Sequence, residues 1–255
     1  MNLESISFIT VTSGNVEEYG VLCAKDPKSE AYRVKVNWMK EKCNSGLRMI
    51  IAFDENKRQL GFIEYTDGEN AWRPVNADGY LFIQCIAVMS KKDRNSGLAS
   101  SLVGLVEEDA RKSEKKGVCV ITSKGSWLAD SKLFIKNGFT LLEKKNRFDL
   151  LAKKLKDTSI NPGFIDWEEY LTNKTGWNLY YSDQCPWHIK SVKDIQKVAD
   201  EAGIALKVKK IDSPEVAKRC GSGFGTFSLI YNDRLLADHY ISSTRFKNIL
   251  SKELK

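Results

Sequence analysis

The alternation of apolar and polar positions divides the chain into two patterned regions. In the first region, short apolar runs bounded by turn-forming residues predict β-strands, and apolar residues at helical spacing predict helices. The predicted strands are 5–12, 47–55, 59–66, 80–89 and 118–123, with two closing strands between 140 and 155. The predicted helices are 28–42, 98–112 and 126–139. The run YLFIQCIAVM (80–89) is apolar on both faces, which is typical of a central strand in a covered sheet.

The pattern changes near residue 157. Residues 157–178 are rich in Pro, Gly and Asn and predict a connector with a short helix. The elements predicted beyond it are a strand at 178–184, a helix at 191–203, a strand at 204–211, a hairpin at 227–240 and a helix at 242–254. This β-α-β-β-β-α order is similar to a thioredoxin-like arrangement.

These patterns predict an α/β (α+β) protein of two domains. The first domain, 1–156, is expected to hold a mixed sheet flanked by helices. A linker follows at 157–177, and a smaller thioredoxin-like α/β domain is expected at 178–255.

Composition narrows the classes of function. The formal charge is +7, which suits the binding of anionic small molecules. The sequence contains no dense run of basic residues with interleaved aromatics, the pattern that would predict nucleic-acid binding. Six cysteines without a CxxC pair, and only two histidines, make a zinc site unexpected. The N-terminus lacks the pattern of a signal peptide, and the longest apolar run has about ten residues against roughly twenty for a membrane span. We therefore expect a cytoplasmic protein without a metal, a membrane or a nucleic-acid partner.

A basic turn follows the central strand. Residues 94–99, RNSGLA, form an R-x-x-G-x-A pattern at the start of the predicted helix. A helix N-terminus presents unpaired backbone N–H groups and a partial positive charge, and Gly97 allows a ligand to come close. The alternative is an ordinary surface turn. The position between a buried strand and a helix favours a pyrophosphate site.

In this arrangement of strands, turn and helix, residues 5–155 resemble the GNAT family of N-acetyltransferases. The matching segments are the strand ending Ile86-Ala87-Val88, the turn just described, and LFIKNGF (133–139). The resemblance implies that acetyl-CoA is the co-substrate and that its pyrophosphate lies on the turn and the first helical residues. The residues implied for that contact are Arg94, Asn95, Ser96, Gly97, Leu98, Ala99 and Ser100. It also implies that Ile86, Ala87 and Val88 pair with the pantetheine arm, and that the helix with Phe134 packs beside the thioester.

The sequence departs from the family pattern at two positions. Phe134 stands where the family often has a Tyr that protonates the departing thiolate, and Trp127 stands where it often has Asn. The central strand also carries no carboxylate to act as a general base. Glu64 on the preceding strand is the best candidate base, because hairpin pairing brings it near residues 80–84. The alternative is that Glu64 faces solvent.

Other side chains could act as acids or nucleophiles. Tyr65 and Tyr80 are candidate general acids, whereas Cys85 is expected to be a core residue of its strand. Cys185, in the segment Cys185-Pro186-Trp187-His188, stands at a predicted strand-to-helix junction that favours a thiolate. Protonated His188 would add to this effect only below roughly pH 6.5. Cys185 is either reactive or structural.

The Cys185 segment resembles a thioredoxin-type turn in which His188 replaces the second cysteine. Together with residues 225–250, it resembles the YoaP-like region found behind a GNAT domain in some bacterial proteins. We expect a bacterial acyltransferase that acetylates a primary amine on a small molecule or peptide by direct transfer. The alternatives are a CoA-binding sensor and a thiol-active binding protein. The acceptor and the oligomeric state stay open, with a homodimer as one option.

Overall fold

The computed structural model describes residues 5–24, 26–125 and 127–254. Contacts within the chain group these residues into two compact units. The first unit comprises the described residues of Met1–Leu22, Met39–Ala71 and Val75–Phe164. The second comprises those of Cys23–Trp38, Trp72–Pro74 and Ile165–Lys255. The second unit therefore includes two segments that the sequence pattern assigns to the first domain.

The first unit contains a seven-stranded mixed sheet. The described strands of this unit, of which all but β4 and β9 belong to the large sheet, are β1 (Ser7–Val11), β2 (Arg48–Phe53), β3 (Gln59–Asp67), β4 (Val75–Asn76), β5 (Tyr80–Val88), β6 (Gly117–Ser123), β7 (Thr140–Lys145), β8 (Phe148–Lys154) and β9 (Gly163–Phe164). The large sheet has the order β1-β2-β3-β5-β6-β8-β7, and β4 pairs with β9 separately. Among the described strand pairs of the large sheet, only β5 and β6 are parallel. The mixed sheet that the family resemblance implies for this region is confirmed.

The described helices before residue 137 are α1 (Val16–Tyr19), α2 (Glu30–Cys43), α3 (Leu98–Lys112) and α4 (Ser131–Lys136). Helix α3 packs on β3, β5 and β6. Its apolar face buries Leu98, Leu102 and Val106 in one core with Ile63, Ile83 and other strand residues. The prediction for α3 matches the observed bounds, whereas α4 is much shorter than the predicted 126–139, and Ser126 lies outside the described residues.

The second unit contains a four-stranded sheet in the order β11-β10-β12-β13. Its elements are β10 (Trp177–Tyr181), α5 (Trp187–Glu201), β11 (Leu206–Lys210), α6 (Pro214–Lys218), β12 (Phe227–Tyr231), β13 (Arg234–Ala237) and α7 (Ser243–Glu253). Strands β10 and β11 are parallel, and the other two pairs are antiparallel. The predicted order of elements is confirmed, with α6 as an addition. Asn232 and Asp233 have positive φ angles, as the predicted two-residue hairpin turn requires.

The segment predicted as a connector with a short helix and the segment predicted as a loop are both packed into the fold. The predicted connector contains β9 and a 3-10 helix, Trp167–Leu171, whose Trp167 is buried. The loop predicted at 67–79 buries Trp72 and Arg73 in the second unit. A Cβ atom on Gly225, whose φ is +75°, would lie 2.4 Å from the Trp72 carbonyl oxygen. Sequence patterns miss this packing because the partners of residues 72–74 lie far away along the chain: the Trp38 ring packs on Trp72, and Phe224, a partner of Arg73, is 151 positions further on.

Candidate functional site

The central feature of the first unit is the separation of β5 from β6. The two strands pair from Tyr80–Gly117 to Ile83–Val120, and then the pairing stops although both strands continue. On its other edge β5 stays paired with β3 as far as Val88. Residues 86–88 therefore expose one backbone edge that no strand in the described part of the chain covers. Such an edge can hydrogen-bond an extended ligand arm through main-chain N–H and C=O groups.

The exposure of the β5 side chains changes at the same point. Tyr80 to Gln84 are buried, whereas Cys85 to Val88 are half-buried. Ile86, Ala87 and Val88, the residues expected to meet the pantetheine arm, thus lie on the open part of the strand.

The turn after β5 has the conformation of an anion cradle. Asn95 and Gly97 have positive φ angles of 62° and 90°, and Gly97 is the N-cap of α3. The cationic side chains of Lys91, Lys92 and Arg94 are exposed around it. The glycine cap provides no side-chain acceptor for the first helical turn, and the Leu98 N–H donates to Ser96 Oγ at 3.4 Å. The N–H groups that follow in this turn can face a ligand anion.

The helix start and the open strand edge are neighbours. A Cβ atom on Gly61 of β3 would lie 2.7 Å from the Ala87 carbonyl oxygen and 3.5 Å from Leu98 Cδ2. Gly61 therefore allows the end of β5 and the start of α3 to approach the same point of β3. One molecule can reach both the strand edge and the helix N-terminus.

Helix α4 is tied to this helix start. Asn137 Nδ2 donates to Ser100 Oγ at 3.1 Å and to the Leu133 carbonyl at 2.7 Å. Because Ser100 accepts this bond, its own hydroxyl proton can point to another acceptor. Sequence reasoning missed Asn137, whose partner lies 37 residues away.

Phe134 was expected to pack beside the thioester. The structure buries its side chain completely in the core, where its ring packs edge-to-face on Phe139 at 5.4 Å. Phe134 supports α4 from inside, and its ring is turned away from solvent.

Glu64 lies beside the open part of β5. Its Cα is paired with that of Cys85, one residue beyond the predicted range of 80–84, and its side chain is fully buried. The alternative that Glu64 faces solvent is therefore wrong. A β-bulge between Glu64 and Tyr65 leaves Gln84 as the extra residue of β5. This irregularity shifted the register, and bulges of this kind are common next to active sites.

The two candidate tyrosine acids lie elsewhere. The Tyr80 hydroxyl donates to the Ile160 carbonyl at 2.8 Å, and burial raises its pKa. Tyr80 is six residues from Ile86, about 20 Å along an extended strand. The Tyr65 hydroxyl donates to Asp109, and burial raises its pKa strongly. Neither hydroxyl is near the open strand edge, so neither fits the role of acid.

Cys185 belongs to the second unit, between β10 and α5. Its side chain is half-buried, and its carbonyl accepts from the His188 amide at 3.0 Å. The His188 ring is buried among Phe224 and Phe227, and its Nδ1–H donates to the Ser182 carbonyl at 2.9 Å. Burial is the largest cause that lowers the His188 pKa, to about 4. His188 is therefore neutral near pH 6.5, and the expected threshold of roughly pH 6.5 for its protonation is too high.

The other cysteine near this region is inert. Cys220 is buried, its thiol donates to the Gly225 carbonyl at 3.1 Å, and burial raises its pKa to about 12. The structure also buries two cations that sequence reasoning placed in the first domain. Arg73 stacks over Phe224 at 4.2 Å, and Lys35 lies 4.2 Å from the Trp38 ring.

Two general properties concern the described residues only. None of the described helices has the length and apolar character needed to cross a membrane. No group of three or more His, Cys, Asp or Glu side chains within the described ranges is placed to hold a metal ion.

Comparison with known proteins gives one relative over nearly the whole chain. The chain is 27% identical over 250 residues to a protein of Bacillus subtilis (strain 168) named as an uncharacterized N-acetyltransferase, YoaP. The alignment covers 96% of this chain and 98% of the relative. No model of a known protein family matches the chain.

Solved structures with partial similarity are also acetyltransferases by name. The GNAT N-acetyltransferase YhbS of Escherichia coli, in complex with CoA, is 17% identical, covers 63% of this chain and 87% of its own, and has a TM-score of 0.44. A GNAT acetyltransferase of Staphylococcus aureus Mu50 is 16% identical, covers 59% and 99%, and also has a TM-score of 0.44.

Proposed function

We propose that this protein is an acetyl-CoA-dependent N-acetyltransferase that transfers the acetyl group directly to a primary amine of a small molecule or peptide. The observation that carries the proposal is the open edge of β5 beside the N-terminus of α3. The length of the similarity to a relative named as an N-acetyltransferase supports it.

The two parts of the site suit the two ends of acetyl-CoA. The first-turn N–H groups of α3 and the exposed Lys91, Lys92 and Arg94 bind the pyrophosphate. The backbone of residues 86–88 pairs with the amide groups of the pantetheine arm, and the Val88 N–H polarises the acetyl carbonyl. Holding the thioester and the amine together supplies much of the rate.

The chemical step needs a proton acceptor. The amine nitrogen attacks the thioester carbonyl, a C–N bond forms, the C–S bond breaks, and CoA leaves as a thiolate. The proton that the nitrogen loses goes to the carboxylate of Glu64, which lies opposite Cys85 on the open half of β5. The Phe134 side chain has no ionisable proton, so the thiolate departs without protonation from that residue.

A screen of primary amines tests the function. Purified protein is incubated with acetyl-CoA and each amine, and the acetylated amine is detected by mass spectrometry. Transfer to any amine, lost in the absence of acetyl-CoA, supports the proposal. Binding of acetyl-CoA without transfer to any amine would favour the sensor function instead.

Glu64→Gln tests the base. We expect kcat to fall about 100-fold with the KM for acetyl-CoA within threefold of the wild type, because general-base catalysis typically contributes this much or more. Glu108→Gln, an exposed carboxylate on α3 paired with Lys112, is the matched control and should retain full activity. An unchanged kcat in Glu64→Gln would assign the proton transfer to another group.

We also propose that the second unit is a thioredoxin-like domain. Its central β10 leads directly into α5, and Cys185 lies at that junction. The order of its elements supports this assignment. Without a second cysteine at position 188, such a domain binds a partner or reacts through one thiol and does not perform dithiol exchange.

A further inference from the structure

The basic turn before α3 contains a buried acid. Asp93 is only 5% exposed and stands directly before Arg94. Its carbonyl accepts the Ser96 hydroxyl at 2.7 Å, so the residue is part of the turn's internal framework. A carboxylate at this place opposes the binding of a polyanion, since buried charges are weakly screened.

Arg58 compensates this charge from the β2–β3 turn. Its Nη1 lies 3.2 Å from Asp93 Oδ2, and its Nε lies 2.9 Å from Asp54 Oδ2. Hydrogen bonds from Arg58 lower the pKa of Asp54, so that carboxylate stays ionised. One guanidinium thus connects two carboxylates and ties the turn to the neighbouring hairpin.

We infer that Arg58 is a positioning residue for the pyrophosphate site. It neutralises Asp93 and fixes the turn so that the N–H groups at the start of α3 are available to the phosphates. The inference rests on the proposed function, because the ligand is the pyrophosphate of CoA. Nothing about Arg58 in the sequence marks it, since it lies 35 residues before Asp93.

The charges predict opposite results for the two partners. Removing Arg58 leaves the buried Asp93 carboxylate uncompensated next to the incoming phosphates, and a buried charge without its partner is costly. Removing the charge of Asp93 eliminates that repulsion, and Arg58 keeps Asp54 as its partner. Removing both charges should restore binding.

The experiment compares Arg58→Gln, Asp93→Asn and the double variant. CoA binding is measured by calorimetry, and pantetheine, which lacks the pyrophosphate, is titrated by NMR. We expect Arg58→Gln to bind CoA at least tenfold more weakly and pantetheine within twofold of the wild type. Asp93→Asn and the double variant should bind CoA within threefold of the wild type.

Two further variants control for folding. Arg111→Gln removes an exposed arginine in the last turn of α3 and should leave CoA affinity unchanged. Arg58→Lys keeps the charge and should bind CoA within threefold of the wild type. This variant tests the inference if Arg58→Gln does not fold.

The outcomes separate the inference from the function. Wild-type affinity in Arg58→Gln, equal losses for CoA and pantetheine, or a double variant as weak as Arg58→Gln would each overturn the role of Arg58. If only Arg58→Lys is folded, a tenfold loss of CoA affinity in it would do the same. A wild-type protein that does not bind CoA would overturn the proposed function, and the inference with it.

Discussion

Each unit has a strand-to-helix junction, and the two junctions differ in the groups around the helix start. The turn before α3 has left-handed Asn95 and Gly97 and exposed cations. The turn before α5 has Cys185, a helical Pro186 with φ −63°, and a buried His188. A helix N-terminus favours an anion by only about 0.3 to 1 kcal/mol at an exposed site. The surrounding side chains therefore decide which anion is bound.

The first junction adds positively charged side chains to the helix N-terminus, and the second junction does not. Exposed cations around open N–H groups suit a polyanion such as pyrophosphate. The neutral His188 adds no charge to the second junction at pH 7. That junction favours at most the single negative charge of a thiolate.

The largest expected difference comes from Gly97→Glu. A side chain at φ 90° is strained, and a carboxylate there repels the phosphates. We expect acetyl-CoA affinity to fall about 1,000-fold, which corresponds to about 4 kcal/mol. Isothermal calorimetry measures the change.

Gly104→Glu is the matched control for this variant. Gly104 is exposed on α3, and a Cβ atom there meets nothing within 4 Å. The same substitution at this position should leave affinity within threefold of the wild type. Equal affinities for the two variants would mean that the first junction does not bind the phosphates.

The buried His188 makes the second unit sensitive to acid. Its pKa is about 4 in the folded protein and 6.5 without burial, so the neutral form is favoured by folding. The contribution of His188 to the free energy of unfolding is fully present above pH 6.5. It is lost as the pH falls from 6.5 to 4, because the unfolded chain takes up the proton first. A difference of about 2.5 units at 1.36 kcal/mol each gives a loss of about 3 kcal/mol.

Urea denaturation between pH 7.5 and 4 tests this, with hydrogen exchange of the α5 amides to assign the transition. His188→Asn should be less stable at pH 7 but should lose less stability on acidification than the wild type. An unchanged slope in His188→Asn would mean that His188 is not the neutral group assumed in the comparison.

The smallest expected effect is the reactivity of Cys185. Cys43 is also half-buried but is the last residue of α2, at the negative end of a helix dipole. We expect iodoacetamide to label Cys185 several-fold faster than Cys43, and less than about 30-fold, because the dipole contributes at most about 1 kcal/mol at each of the two helix ends. Cys119 and Cys220 are buried, and because burial raises the pKa of both thiols, they should label last.

Timed labelling with peptide mass mapping gives the rates. Cys185→Ser identifies the Cys185 peptide and should leave the Cys43 rate unchanged. Equal labelling rates for Cys185 and Cys43 would mean that the second junction does not activate the Cys185 thiol.

Local features of the site could be predicted from the sequence, and long-range ones could not. The strand ending at Val88, the turn with Gly97 and the start of α3 are contiguous, so their pattern was visible. The pairing of Glu64 with Cys85 depends on a bulge that no residue pattern marks. The bond from Tyr80 to Ile160 spans 80 residues, and only the folded chain reveals that this hydroxyl is already used.

The interleaving of the two units limits how this protein can be divided or recombined. The chain passes between the units after Leu22, Trp38, Ala71, Pro74 and Phe164. A fragment made of residues 165–254 lacks Trp72 and Arg73, which Gly225 is shaped to receive. The second unit is therefore not a portable module. A gene fusion that carried only the C-terminal third would therefore transfer an incomplete core. During synthesis, the second unit can complete its folding only after almost the entire chain has been made.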